Sequence, residues 1–586
     1  MKYITVFFLL FCGCLLFAQN HDFDWMMGVR YTLLPGETNV GTTHIDFNNL
    51  PPNVYREEID LEFTVCNTSI CDESGNLLFF TNCVELFNAD NQPMLNSEGF
   101  NQYPFHDIYP NGLLLIQGTV GLKPVGVQDT YYLLHQKYDF TELNGEASVF
   151  GVGLYYTEID MQEDSGRGAV TQKGVPLIVD TLANGTVTAT KHANGRDWWV
   201  LLPEYNSNVY YRTLLGPGSP ELLETQTIGV PTISGLSQAS FSPDGSKYVR
   251  NTLVGGLYEQ DYLDIYDFDR CTGLLSNHIR FPYGNGVNSG GGVAISDDNR
   301  FVYVSHRNHV YQYDLWSTDI EGSKDTIAVY DGYLDQGFNP TAFFLAQWAP
   351  DGRIYLNTVT GTHWLHAINN PRGKGESSNL VQRSLYLPTV NPFSMPNFPN
   401  YRLGPLDGSP CDTLGLDNIP VAKFRFEQDT VYYLQVEFTD LSYYEPMEWH
   451  WDFGDNTTSQ DTSPVHVFPQ GGTYEVCLTV SNINGEHNFC RTLDLGTVSS
   501  GEEMPSVDIN IFPNPCREGV NVIISDYLPK GARVVLYDAV GQRHKEQEVY
   551  TGWNTLKLSG LRPGMYFYEV WETGVFLKSG KLIKVE

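Results

Sequence analysis

Positive charge is scarce in this chain. Its 586 residues carry 35 Lys and Arg against 69 Asp and Glu, a formal charge of -34. A surface that negative repels phosphate backbones and anionic lipid, so nucleic acid drops out of the expected partners. Long apolar runs are also missing. Beyond residue 18 no stretch approaches the ~20 apolar residues of a membrane helix, and no transmembrane segment is expected. The local signatures of chemistry are absent too: no GxSxG, no HExxH and no P-loop, while GNGVNSG at 284–290 spaces its glycines wrongly for a dinucleotide. Core material is not lacking, since 41% of the residues are hydrophobic and 18% charged, which excludes global disorder. What is abundant is aromatic residues, 13%, with 55 Gly and 32 Pro. That mixture suits short strands and tight turns rather than long helices, in a chain long enough for several domains.

The first residues set the compartment. Lys2, the apolar run Ile4–Phe17 and the small Ala18 read as a secretory signal peptide, residues 1–18, cut between Ala18 and Gln19. Export permits disulfides. Of ten cysteines, Cys12 and Cys14 leave with the signal. Hairpin arithmetic sets Cys477 opposite Cys490 across a loop at Asn482–Gly485, and Cys66 opposite Cys83 across Ser74–Gly75. No CxxC…CxxC spacing points to structural zinc. Cys71, Cys271, Cys411 and Cys516 receive no partner.

The chain repeats itself. ASFSPDGSKYV (239–249), VAISDDNRFVYV (293–304) and AQWAPDGRIYL (346–356) each read strand, tight turn, strand, and their turn residues Gly245, Asn299 and Gly352 lie 54 and 53 residues apart. Weaker copies begin at Gly75, Gln128 and Gly195. A third strand follows each strong turn, as in YLDIYDF (262–268) and HVYQYDL (309–315). Four antiparallel strands per ~50 residues cannot bury both faces alone, so the units must stack radially as propeller blades. Six internal copies cover about 58–390. The leftover ends, near Trp25–Tyr31 and 393–403, are expected to pair into a seventh blade that closes the ring.

The segment 71–100, with GNLLFFTN and LFNADNQPMLNSEGF, together with the SPDG turns and AINNPRGKG…MPNF, resembles secreted propellers of Bacteroidetes, broadly of the WD-repeat, YVTN and TolB-like kind. The expected class is therefore all-β: a seven-bladed β-propeller over 19–405, a Gly/Pro-rich linker at 406–419, then two small Ig-like β-sandwiches. The first sandwich, 420–497, alternates with period two, placing Tyr474, Val476, Leu478 and Val480 inward. Its Trp451, Asp452, Phe453, Gly454 and Asp455, followed by HVFPQGGTYEVCLTVSN, resemble a PKD domain. Asp452 and Asp455 could in principle attract calcium, but acidic turn residues more often bond the backbone, so no cofactor is expected.

After a second linker, 498–506, the stretch 507–586 carries Pro513, Asn514 and Pro515, LYDAVGQ with Gly541, GMYFYEV from Gly564, and a closing KLIKV with Lys584. It resembles the type A sorting domain of the type IX secretion system. That resemblance implies passage across the outer membrane to the cell surface or medium, with the secretion machinery and a sortase-like protease as partners. Two further features invite chemistry. His306/His309 and His363/His366 are spaced His-x-x-His but occupy unlike blade positions, which favours ordinary surface or turn histidines over ligands. Asp264, Asp267 and Asp269, and the run IDMQED at 159–164, offer paired carboxylates that blade turns also use. No catalytic, cofactor-binding or metal residue is assigned. The expected function is a surface or secreted binding and adhesion protein with an extracellular glycan or protein ligand. The alternative is a propeller hydrolase or lactonase whose groups converge at the channel.

Overall fold

The computed structural model describes residues 19–30, 40–103, 111–127, 129–143, 146–231, 237–252, 260–284, 291–429, 432–495, 509–512, 515–524, 532–538, 543–550, 552–572 and 575–585. These residues are almost wholly strand and turn, with three short 3-10 turns. They divide into two compact units. One is Met1–Arg425 with Asp440–His450 and Leu478–Phe489; the other is Phe426–Thr439 with Trp451–Cys477 and Cys490–Glu586.

Among the described residues between 24 and 391, the first unit holds seven antiparallel sheets of three to five strands, plus one two-stranded ribbon, and none of these sheets closes on itself. The sheets begin at Asp24–Met27, Thr68–Cys71, Thr119–Leu122, Thr188–Lys191, Ala239–Phe241, Val293–Ile295 and Phe343–Trp348. Within each, successive strands pair as a meander, except that the short last strand of the fourth sheet, Gln226–Thr227, pairs with Val209–Leu215. The first-to-second-strand turns are those marked by the repeat: Gly245, Asn299 and Gly352 take φ of 72°, 61° and 78°, which Gly and Asn tolerate best. The first strands TSIC, TVGL and TATK are buried throughout. Their small side chains let the backbones converge where space is least.

Each sheet packs its face on the next. Val249, Leu263 and Phe281 of the fifth sheet meet Ile295, Val302 and Tyr313 of the sixth. Phe301, Tyr303 and Val310 of the sixth meet Phe343, Ile354 and Ile368 of the seventh. Full burial of each such side chain contributes about 1.5–3 kcal/mol. The seventh sheet packs on the first: Trp25 meets Tyr355 edge-on, Phe47 meets it at a tilt, and the Thr43 and Thr389 hydroxyls bond at 2.6 Å.

The expected mixed blade does not form. Asp24–Met27 pairs with Thr42–Asp46, and that strand with Asn53–Glu57, so the first sheet is built from the N-terminal side alone. Residues 392–403 contain no strand. Pro392, Pro396 and Pro399 have no amide hydrogen to give a ladder, which explains why this stretch cannot serve as one.

The stretch read as a linker is also tied down. Cys411 forms a disulfide with Cys271, Leu406 N donates to Ala193 O at 2.8 Å, and Asn418 is 1% exposed.

Further along the chain, Gln435–Asp440 pairs with Val465–Val467 and Glu448–Asp452 with Thr458–Ser459. Phe438, Trp451 and Phe453 interlock at ring distances of 5.4 Å from Phe438 to each of the others. Thr473–Asn482 buries Val476, Leu478 and Val480 and leaves Tyr474 half-buried. The C-terminal residues form two further sheets around Ile509, Val522, Val534, Leu536, Leu556, Val570 and Leu582, a core that draws on residues 509–582 alone.

Candidate functional site

The seven first strands surround a space, and the chain fills it with its own residues 393–403. Asn397 is the hub. Its Nδ2 donates to Thr119 O at 2.7 Å and Val187 O at 2.8 Å, its Oδ1 accepts from Gln117 Nε2 at 3.1 Å, and its carbonyl accepts from Thr68 Oγ1 at 3.3 Å. Tyr401 Oη donates to Gly121 O at 2.7 Å and Asn400 Nδ2 to Pro243 O at 2.8 Å. Phe398 lies 6.1 Å from the Trp25 ring, and its carbonyl accepts from Gln347 Nε2 at 3.2 Å. One segment therefore satisfies polar groups at five sheets, the second to the fifth and the seventh, and packs on the first through Phe398 and Trp25. Gln238 reaches the sixth by accepting from Val293 N at 3.0 Å.

The remaining cavity is about 50 Å³, room for little more than water. Among its described lining residues Asp22 alone is charged, and it is held bidentate by Arg402.

The histidine pairs are not surface residues. His306, His363 and His366 are 3%, 3% and 0% exposed. His306 Nε2 lies 3.0 Å from Asp261, and His363 Nδ1 lies 2.9 Å from Asp335. Burial pushes His366 down to about 3, and its Nδ1 accepts from Arg383 N at 3.1 Å. His309, half-buried, stacks on Tyr311. Among the described residues no three His, Cys, Asp or Glu gather as a metal site.

The carboxylate runs are likewise engaged. Burial alone would raise Asp264, but bonds from His278 at 2.7 Å and Arg280 at 2.7 and 2.9 Å hold it below the usual range. Asp267 pairs with Lys247, and Asp269 caps the turn by accepting from Cys271 N and Thr272 Oγ1. Asp164 pairs with Arg167.

In WDFGD, Trp451 is fully buried and Asp452 Oδ1 accepts from Gly454 N at 2.9 Å. Asp455 Oδ1 accepts from Thr457 N at 3.0 Å, and its Oδ2 lies 2.8 Å from His466 Nε2, whose ring stacks on Phe453 at 4.0 Å. These oxygens thus fasten the turn. Disulfides join Cys66–Cys83, Cys477–Cys490 and Cys271–Cys411; Cys71 and Cys516 are buried free thiols. The third pairing, 140 residues apart, left no local signal.

Near the C-terminus, Gly564 stands opposite Lys584 in the last strand pair. Cys516, following Pro515, bridges to Lys584, its N donating to Ile583 O at 2.8 Å. Three of the sorting motifs thus converge on one end of the sandwich. Pro513, Asn514 and Gly541 lie outside the described residues, as does Ala18; Gln19 is inside and buried.

Two families match parts of the chain: a PKD domain over 419–495 and a secretion system C-terminal sorting domain over 510–585. Collagenase ColQ1 of Bacillus cereus (strain Q1) is 34% identical over 87 residues, 15% of this chain and 9% of the collagenase. The chain therefore matches less than a tenth of that relative's length. Similar solved structures include the PKD1 domain of Vibrio anguillarum Epp, with 26% identity, 14% of this chain and 95% of that one covered, and a TM-score of 0.13. A candidate 6-phosphogluconolactonase from Bacteroides fragilis NCTC 9343 is 12% identical over 74% of this chain and 100% of its own, with a TM-score of 0.26.

The C-terminal sorting domain marks the chain for export across the outer membrane, to the cell surface or beyond, through the type IX secretion system. No helix among the described residues is long and apolar enough to cross a membrane.

Proposed function

We propose that this is a secreted or cell-surface binding and adhesion protein of a Bacteroidetes bacterium. Its seven sheets act as the blades of a seven-bladed propeller, a rigid platform. The PKD domain is the adjoining interaction module, and a sortase-like protease removes the sorting domain after passage. The ligand is an extracellular glycan or protein.

The observation that carries this reading is the filled space. A propeller enzyme needs an open channel mouth with convergent acids, bases or a metal. Here residues 393–403 occupy that place and leave about 50 Å³. Binding is then the work of outer surfaces and clefts.

Two assays on the purified mature protein test it: hydrolysis of gluconolactone, and retention on arrays of extracellular glycans and matrix proteins. Retention without hydrolysis is expected. Turnover of the lactone above buffer, with no retention, would favour the catalytic alternative instead.

A further inference from the structure

A cleft of about 250 Å³ in the first unit lies beside the Pro243–Asp244 and Trp348–Pro350 turns, with Asn418 and the stretch Asp440–Pro446 on its other side. Three of its lining residues carry buried polar atoms without a partner: the Trp348 indole Nε1, the Tyr444 hydroxyl and Asn418 Oδ1. Unsatisfied buried donors and acceptors are costly and call for an explanation. Here two donors and one acceptor border the same space.

The backbone at this wall is strained. Tyr444 and Glu445 take consecutive left-handed conformations, φ 63° and 55°, which non-glycine residues avoid. One side chain holds them there: Asn482 Nδ2 donates to the carbonyls of Tyr444 and Glu445, both at 3.2 Å, and of Asn418 at 2.6 Å. The clamp therefore fixes two of the three residues that carry unpartnered atoms.

The chemistry selects the occupant. Trp348, Tyr443 and the prolines border it with apolar surface, while Tyr444 is 3% exposed and the Arg402 guanidinium lies 5.4 Å from the Trp348 ring centre. The guanidinium groups at the cleft are already matched, Arg372 by Asp297 and Arg402 by Asp22, each bidentate. Aromatic faces with neutral donors and an acceptor, and matched guanidiniums, suit an uncharged polyhydroxyl ligand. We propose that this cleft is a binding site for a neutral saccharide of one to two sugar units. The proposal rests on the binding-protein reading and gives it a place and a ligand class.

The test uses the mature full-length protein and saturation-transfer NMR with cellobiose, maltose, mannobiose, xylobiose and N,N'-diacetylchitobiose. Digalacturonate and triglycine serve as charged and peptide arms. The same measurements follow on Tyr444→Phe and Trp348→Phe, which keep the rings and delete one donor each; equal thermal midpoints confirm that both fold. At least one neutral disaccharide should bind, about five- to ten-fold more weakly to each variant, which corresponds to loss of one hydrogen bond.

Saccharide binding unchanged in both variants overturns the cleft while leaving the binding-protein reading in place. Binding of triglycine or digalacturonate in preference to every neutral sugar overturns the ligand class. Failure of all five sugars at millimolar concentration overturns the proposal; if protein ligands are still retained on the arrays, the wider reading survives.

Discussion

Arg402 and Asp22 meet in a bidentate ion pair, Nη1–Oδ1 at 2.6 Å and Nη2–Oδ2 at 2.7 Å, across 380 residues of sequence. Both are buried, at 6% and 2% exposure. The pair fastens the end of the space-filling segment to the residues just before the first strand. Arg402→Ala leaves a buried carboxylate uncompensated and should lower stability by about 3–5 kcal/mol, read by urea denaturation. The double variant Arg402→Met/Asp22→Leu should recover much of that loss. A single variant as stable as wild type would show that the pair is not a latch.

Lys191 is buried, its Nζ has no hydrogen-bond partner, and it lies 5.3 Å from the Trp198 ring centre. Burial pushes its pKa down to about 7, with Arg270 adding repulsion. The unfolded chain therefore binds one more proton than the folded chain between pH 7 and about 10.4, and stability rises with pH across that window. The gain should be on the order of a few kcal/mol, and Lys191→Met should abolish it. Chemical denaturation at pH 7 and pH 9.5 is the check; equal slopes in both proteins would contradict it.

The buried histidines act in the same sense at lower pH. Burial holds His21 at about 4 and His135 and His366 at about 3. The unfolded forms take up protons near 6.5, so the stability of the neutral buried rings is complete above that value and is lost as pH falls. A steep fall in thermal midpoint from pH 6.5 to 4 is expected, and His366→Asn should make it shallower. A flat profile would mean that these rings are accessible to water.

Non-reducing peptide maps should recover Cys271 joined to Cys411 and Cys477 to Cys490. In the loop-entropy picture the first, closing a separation of 140 residues, is worth about 5 kcal/mol, and the second, closing 13, about 3 kcal/mol. Cys271→Ser should therefore cost more than Cys477→Ser. Free thiols at all four positions would refute the pairing.

Deleting 507–586 should leave a folded protein in the periplasm of the native host, because the C-terminal core draws on residues 509–582 alone. Cell fractionation reads the outcome. Normal arrival of the truncated form at the surface would sink the assignment of the sorting role.

Much of this was legible in the sequence because turns and alternation are local. Asp-Gly and Asp-Asn at 244–245, 298–299 and 351–352 announce positive φ, and the 53–54-residue spacing shows that the sheets repeat. Val476, Leu478 and Val480 reveal their face by period two. The rest depends on distant partners. Nothing near Asn397 says that it will bond Thr119 and Val187, although Pro392, Pro396 and Pro399 do argue against the strand expected there. Cys271 and Cys411 lie in different stretches, so no hairpin rule could join them. The histidines at 306, 363 and 366 look like exposed turn residues because the aspartates and the sheet faces that bury them come from elsewhere in the chain. Tyr444 carries no mark of its left-handed backbone, since the Asn482 clamp is 38 residues away.

The filling of the central space by 393–403 is the claim on which the binding reading stands, and amide hydrogen exchange of that segment in the mature protein tests it most directly. The amides of Ser394, Asn397 and Tyr401 should exchange as slowly as those of the buried first strands, over hours, and open only with global unfolding. Exchange within seconds, while those strands stay protected, would show an open channel and contradict the account.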